Sequence, residues 1–89
     1  MNFKVAISPG ATLTDMDGKS VIFSKKSGAF YGLNNSANQL LDGLVKSDFD
    51  STVTKYASLY GVQREVLVAD ISEMLDELLE LKLVTKSLI

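Results

Sequence analysis

The chain has 89 residues, 46% of them hydrophobic, and a formal charge of −2 from 9 basic and 11 acidic residues. This size and composition predict one small folded domain over residues 1–89, with a modest core. The absence of cysteine and histidine excludes disulfides, thiolate or imidazole catalysis and nearly every transition-metal site. The mild acidity disfavours binding to nucleic acid or to an anionic membrane, since both select clustered lysine and arginine.

Residues 1–10 are predicted to be a lead-in to the domain. Phe3, Val5 and Ile7 alternate with other residues, which fits either a short edge strand or a loosely packed terminus, and Pro9-Gly10 ends the pattern. The segment is too short for a signal peptide, and no apolar run approaches the roughly 20 residues of a membrane helix. We therefore expect a cytoplasmic protein.

Three short segments predict an antiparallel meander of strands joined by hairpins. They are residues 11–15, 20–24 and 29–33, separated by the turn signals Asp17-Gly18 and Ser27-Gly28. In the third strand, Phe30 and Gly32 should point to one face and Tyr31 and Leu33 to the other, because side chains alternate along a strand. A sheet this small requires helices over one face.

Two helices are predicted directly after the meander. The first should span residues 35–46; Asn34 and Asn35 are good N-caps, and Ser36 with Gln39 has the spacing of a capping box. The second should begin at either of two aspartates, Asp48 or Asp50, and Gly61 is suited to end it in a left-handed conformation.

The third predicted helix is the longest and spans residues 63–82. Its apolar stripe is wider than one core contact requires; the stripe includes Leu67, Val68, Ile71, Met74, Leu75, Leu78, Leu79 and Leu81. Acidic residues are expected on the other side of this helix: Asp70, Glu73, Asp76, Glu77 and Glu80.

Residues 84–89 form a tail that adds a few extended residues. The order of elements predicts an α+β fold resembling a winged helix-turn-helix, with a three-stranded antiparallel sheet followed by three helices.

The residue types argue against catalysis and against DNA recognition. The serine and aspartate residues have no histidine or cysteine to act with, and the aspartate pairs of the turns and caps lack the pattern of a calcium loop. No metal site or cofactor is expected. A winged-helix DNA-binding regulator needs a basic face, whereas the third helix has six carboxylates between Arg64 and Lys82.

Peptide binding fits the pattern better. The third strand is an edge if the meander keeps its chain order, and its free N–H and C=O groups could accept an added strand. Gly32 would let a backbone approach closely. The apolar stripe of the third helix could form the opposite wall of a groove, although Leu33, Ile71 and Leu75 fit the core better, and Phe30 and Met74 fit either place.

The residues also resemble the PqqD-like proteins. The matching patterns, in chain order, are Asp15-x-Asp17-Gly18-x-x-Val21-Ile22-Phe23, Ser27-Gly28-x-Phe30-Tyr31-x-Leu33-Asn34, Ala37-x-x-Leu40-Leu41-x-Gly43, Tyr60-Gly61-Val62, Val68-x-Asp70-Ile71-x-x-Met74-Leu75-x-x-Leu78 and Leu83-Val84. One departure is Asn35-Ser36, where Pro-Thr or Glu-Thr is frequent in the family; Ser36 keeps a capping hydroxyl.

The resemblance implies a precursor-peptide recognition element for ribosomally made, modified peptides. In such proteins the leader segment adds as a strand to the third strand and lies against the third helix, and no chemistry is performed. The implied peptide-binding residues here are Ala29, Phe30, Tyr31, Gly32, Leu33, Leu67, Val68, Asp70, Ile71, Met74 and Leu75.

The form Gly28-x-Phe30-Tyr31-x-Leu33-Asn34 is most similar to the separate leader-binding proteins of lasso-peptide pathways. The implied partners are the precursor leader peptide, a separate leader peptidase, and a cyclase or other maturation enzyme. The protein would then be an adaptor between the leader and these enzymes. Two alternatives to this role stay open: a winged-helix DNA-binding regulator, and a structural or dimerisation subunit. The protein itself would be a monomer or a dimer formed through the strand edge.

Overall fold

The computed structural model describes residues 2–16 and 19–89, and this part of the chain folds into five strands and three helices. The elements follow one another as β1 (Phe3–Ile7), β2 (Ala11–Met16), β3 (Lys19–Ser24), β4 (Phe30–Leu33), α1 (Asn35–Lys46), α2 (Phe49–Tyr60), α3 (Arg64–Glu80) and β5 (Val84–Leu88). The predicted α+β class, with a three-stranded antiparallel sheet followed by three helices, is confirmed.

The predicted meander is the sheet β2-β3-β4, in which both pairs of strands are antiparallel. Ile22 of β3 lies between Leu13 of β2 and Tyr31 of β4, so these three side chains share one face. Gly28 adopts φ 78° in the turn before β4, a conformation that glycine takes without strain. The other predicted turn, Asp17-Gly18, lies outside the described residues.

The helices cover one face of this sheet. On the covered face Ile22 and Leu33 are buried, whereas Phe23 and its cross-strand partner Phe30 are exposed on the opposite face. The predicted alternation along the third strand is therefore confirmed, with Tyr31 and Leu33 facing inward. The centre of the core comprises Ile22, Leu41, Leu44, Val53, Ile71, Leu78 and Leu83, which are fully buried.

The two ends of the chain pair with each other, which the sequence analysis did not predict. β1 and β5 form an antiparallel two-stranded sheet, with Val5 opposite Lys86. The ring of Phe3 stacks on Phe49 of α2 at 4.6 Å between centroids. Of the two interpretations of residues 1–10, the short strand is thus correct, because Phe3 and Val5 are buried in the core.

Of the predicted caps of α1, Asn34 is the one used, and the capping box of Ser36 and Gln39 does not form. The Asn34 side-chain oxygen accepts a hydrogen bond from the Ala37 N–H at 2.8 Å, so Asn34 is the N-cap and α1 begins at Asn35. Ser36 lies inside the first turn, where its hydroxyl cannot act as the cap.

A close approach of α1 and α2 depends on Gly43. A methyl group at this position would lie 3.0 Å from the Thr52 hydroxyl oxygen and 3.2 Å from the Tyr56 ring. Thr52 is buried and its hydroxyl donates to the Asp48 carbonyl at 2.7 Å, which holds it in place. Asp48 is also the N-cap of α2, and Gly61 ends that helix with φ 66°.

The third helix is slightly shorter than predicted, because it ends before Leu81. Lys82 adopts φ 59°, and the Leu83 N–H bonds to the Leu78 carbonyl at 2.9 Å, which closes the helix and directs the chain into β5. None of the helices in residues 2–16 and 19–89 is long and apolar enough to cross a membrane.

Candidate functional site

The open edge of β4 is the first component of the candidate site. β4 lies at one end of the sheet order β2-β3-β4 and pairs with β3 alone among the strands of the described residues. Its other side presents backbone N–H and C=O groups that no described strand pairs with. A strand edge of this kind can accept an additional extended chain by backbone hydrogen bonding.

The hydrogen-bond register shows which residues of β4 face that edge. The Ser24 N–H donates to the Ala29 carbonyl at 2.9 Å, which marks these two residues as a hydrogen-bonded pair. Because such pairs alternate along an antiparallel ladder, Tyr31 exchanges its bonds with Ile22 of β3. Phe30 and Gly32 therefore direct their N–H and C=O groups outward, and the edge offers two donors and two acceptors.

The second component is α3, which faces β4 through Tyr31. Tyr31 is half-buried on the inner face of β4. Its pKa is raised, first by a side-chain hydrogen bond to Glu77, then by burial and by the negative charges of Glu77 and Glu73. Tyr31 therefore responds to the negative charges on the side of α3 that carries Glu73 and Glu77. We call the space between β4 and this side of α3 the β4–α3 cleft.

Carboxylates follow one another along the cleft side of α3. Asp70, Glu73 and Glu77 are spaced three and four residues apart, which puts them on the same side of the helix, and all three are exposed. Met74, one residue beyond Glu73, borders this side but is itself buried. The cleft wall formed by α3 is therefore acidic, with the apolar core beneath it.

The residues singled out from the sequence separate into a buried group and an accessible group. The buried group consists of Leu33, Leu67, Ile71, Met74 and Leu75. The preference for the core at Leu33, Ile71 and Leu75 is confirmed by their burial, and Met74, which fitted either place, also lies in the core. The accessible group consists of Ala29, Phe30, Tyr31, Gly32, Val68 and Asp70.

Two members of the accessible group point away from the cleft. Phe30 is 68% exposed, but its side chain lies on the outer face of the sheet, so only its backbone is turned to the open edge. Val68 lies in a separate depression with Arg64, whose guanidinium hydrogen-bonds to Thr54 of α2. Val68 and Met74 are six residues apart, about 120° around the helix.

An influence of Glu73 and Glu77 on Tyr31 was not predicted from the sequence. Both were expected with the other acidic residues on the side of α3 away from the apolar stripe. Both raise the pKa of Tyr31, Glu77 first through a side-chain hydrogen bond and Glu73 through its charge. The spacing of Asp70, Glu73 and Glu77 around Met74 was the available signal, but only the tertiary packing shows which side of α3 faces β4.

The described residues contain no cluster that could hold a metal ion. Within residues 2–16 and 19–89, no three carboxylates are close enough together to hold a metal ion. The basic face that DNA binding requires is also missing from α3, which carries six carboxylates and one arginine. What remains is a backbone edge beside an acidic helix wall, which suits an extended peptide.

The fold and the open edge define a small α+β domain of winged helix-turn-helix type. Residues 19–84 match the family described as Coenzyme PQQ synthesis protein D (PqqD), and the chain belongs to this family. Among solved structures, the chain is similar to TbiB1 in complex with the TbiA(beta) leader peptide. The TM-score is 0.78 at 20% sequence identity, and the match covers 88% of this chain and 92% of the other. No curated protein matches the sequence.

Proposed function

We propose that this protein is a non-catalytic adaptor that binds the leader segment of a ribosomally made precursor peptide. The leader adds as a strand to β4 and lies in the β4–α3 cleft. The observation that carries the proposal is the open β4 edge, with four outward backbone groups from Phe30 and Gly32, in a chain of the PqqD family. The similarity to a protein solved with a leader peptide supports it.

The adaptor delivers the bound precursor to a separate enzyme. We propose that the chemistry belongs to a partner, which is a leader peptidase, cyclase or other maturation enzyme of a lasso-peptide pathway in the cytoplasm. Holding the leader raises the effective concentration of the precursor at that partner. Backbone pairing supplies affinity with little dependence on sequence, and side chains facing the cleft supply selectivity.

Fluorescence anisotropy tests this function directly. The purified protein is titrated with the labelled leader segment of a precursor encoded near its gene, with an unrelated DNA duplex as the control. We expect saturable binding of the leader that persists at high salt, because backbone hydrogen bonds and apolar burial are screened little. No leader binding together with salt-sensitive duplex binding would replace the adaptor with a DNA-binding regulator.

A second copy of the chain is the other candidate occupant of the β4 edge. Two β4 strands could pair and form a dimer, as a structural or dimerisation subunit would. Sedimentation across a concentration series distinguishes the two: an adaptor stays monomeric or becomes monomeric when leader is added, whereas a structural dimer is unaffected by the leader.

A further inference from the structure

An open depression lies between β3 and β4, next to the end of β4 that leads into α1. Its lining residues are Lys19, Ser20, Val21, Gly32, Leu33 and Asn34. The volume is about 270 Å³ and the surface is mainly apolar. Sites that enclose a small-molecule ligand have roughly 300–1,000 Å³, so this depression is better suited to one side chain of a larger partner.

The depression opens on the outer face of the sheet, away from the helices. Ser20 and Leu33 are only 1% and 2% exposed, because their side chains lie on the covered face. Val21 and Gly32 are directly opposite each other and share the outer face. A methyl group on Gly32 would meet no atom of the described residues within 4 Å. The lack of a side chain at Gly32 therefore leaves a path from the β4 edge to Val21.

Two exposed aromatic rings continue this surface along the sheet. Phe30 is 68% exposed, and Phe23, directly opposite it on β3, is 41% exposed. Neighbouring apolar side chains that remain exposed on one face are typical of an interaction surface. We call Val21, Phe23, Phe30 and Gly32 the outer apolar surface; it extends to the open edge of β4.

The register of β4 determines which side chains of an added strand would lie on this surface. Phe30 and Gly32 are the residues that direct their backbone groups to the open edge. A peptide residue that lies beside Gly32 shares its face of the sheet. Its side chain would extend across Gly32 toward Val21, with Phe30 along one side. Aromatic side chains on a neighbouring strand compensate in this way for the weak packing of a strand glycine.

We infer that the peptide bound at the β4 edge places a large apolar side chain, aromatic or branched aliphatic, beside Gly32, where it fills the depression against Val21 and Phe30. The inference rests on the proposed function and adds a specificity subsite on the outer face, separate from the β4–α3 cleft. Continuity with the open edge identifies the occupant, because the same added strand that bonds to Gly32 brings a side chain over this surface.

Selection from a displayed library of random twelve-residue peptides tests the inference without knowledge of the natural precursor. The library is selected on the wild-type protein, on Gly32→Pro, which blocks the edge, and on Gly32→Val. The valine keeps the N–H of the edge and suits a strand, but it occupies the depression. We expect edge-dependent peptides to be enriched in large apolar residues at one position in the wild-type selection, and this enrichment should be lost with Gly32→Val.

A selected peptide then gives the size of the effect by fluorescence anisotropy. Replacing its enriched residue with alanine should weaken binding to the unaltered protein about tenfold, and Gly32→Val should weaken binding of the original peptide by a similar factor. The two changes together should cost little more than either alone, because they remove the same contact. Thr12→Val is the matched control. It introduces the same side chain on the outer face of β2, away from the depression, and should change affinity less than about twofold.

The outcomes separate the subsite from the adaptor function. Edge-dependent peptides without apolar enrichment, or with enrichment that persists on Gly32→Val, would overturn the subsite and leave the adaptor function standing. Selections in which Gly32→Pro loses nothing would overturn strand addition itself, and with it the inference. A wild-type dimer in sedimentation that Gly32→Val dissociates and the selected peptide does not would assign the outer apolar surface to a second copy of the chain, and would overturn both.

Discussion

Replacing Gly32 with proline removes one of the two N–H groups that β4 directs to its open edge. The register established by the Ser24–Ala29 bond leaves the Gly32 N–H without a partner inside the sheet. Proline is tolerated in strands where the N–H points away from the ladder. Gly32→Pro should therefore fold, while its ring occupies the position in which the backbone of an added strand would lie.

The expected loss of affinity follows from the hydrogen bonds at the edge. One backbone hydrogen bond is worth about 1 kcal/mol net, and the carbonyl of the bound leader left without a donor costs about 1–3 kcal/mol more. The sum of about 2–4 kcal/mol corresponds to binding at least roughly 30-fold weaker. Steric exclusion by the ring adds to this loss.

Two variants control the measurement, which is leader binding by fluorescence anisotropy with thermal unfolding monitored by circular dichroism. Gly32→Ala keeps the N–H, and its added methyl group meets nothing within 4 Å, so affinity and stability should remain close to the wild type. Tyr31→Pro removes a bond to Ile22 within the sheet, so it should destabilise the fold by about 2–4 kcal/mol.

The comparison between the proline variants locates the interaction. If folded Gly32→Pro bound leader as tightly as Gly32→Ala, the leader would not be adding to β4, and the assignment of the β4 edge as the binding site would be wrong. Loss of binding in Tyr31→Pro alone would show only that the sheet must be intact.

Three further predictions concern the structure that supports the site. Asn34→Ala should lower the free energy of unfolding by about 1 kcal/mol, while Ser36→Ala changes it by only a few tenths, as measured by urea denaturation. Gly43→Ala should also lower the free energy of unfolding, by about 1 kcal/mol. A clash with the buried α2 side chains costs about 1–3 kcal/mol, which outweighs the gain in helix propensity of about 1 kcal/mol. A more stable variant would show that α2 moves to accommodate the methyl group. The pKa of Tyr31 is raised, so the protonated hydroxyl stabilises the folded state. This stabilisation is complete at pH values below about 10, the ordinary pKa of tyrosine, and it is lost as the pH rises through the raised pKa. Glu77→Gln should shift this titration, followed by tyrosinate absorbance, back toward the ordinary range; an unchanged titration would contradict the contact with Glu77.

Local sequence signals predicted the meander and the helices well. The first helix begins and ends where its capping residues and apolar spacing indicated, and Gly28 and Gly61 adopt the positive φ angles that their turns require. These features depend on residues that are near one another in the chain. Asn34, one of the candidate caps, is the N-cap of this helix, whereas the capping box of Ser36 with Gln39 does not form.

Features that depend on distant parts of the chain were not predicted. The pairing of β1 with β5 joins the two ends, and neither segment shows which partner it takes. Whether Val68 or Glu77 faces β4 depends on the rotation of α3 about its axis. The broad apolar stripe of α3 left this rotation undetermined, because its buried positions allow more than one orientation.

The burial of the predicted groove residues changes where selectivity must come from. Leu33, Ile71 and Leu75 are already packed in the core of the free protein, so a bound peptide gains their contact only if the core opens. The backbone groups of β4 bind any extended chain of suitable shape and discriminate little. If the leader adds to β4 as proposed, discrimination depends on the side chains that remain accessible beside the edge, of which Tyr31 is one. For this reason we expect substitutions of Tyr31 to change which peptides bind, and substitutions of Leu33, Ile71 and Leu75 to change whether the domain folds.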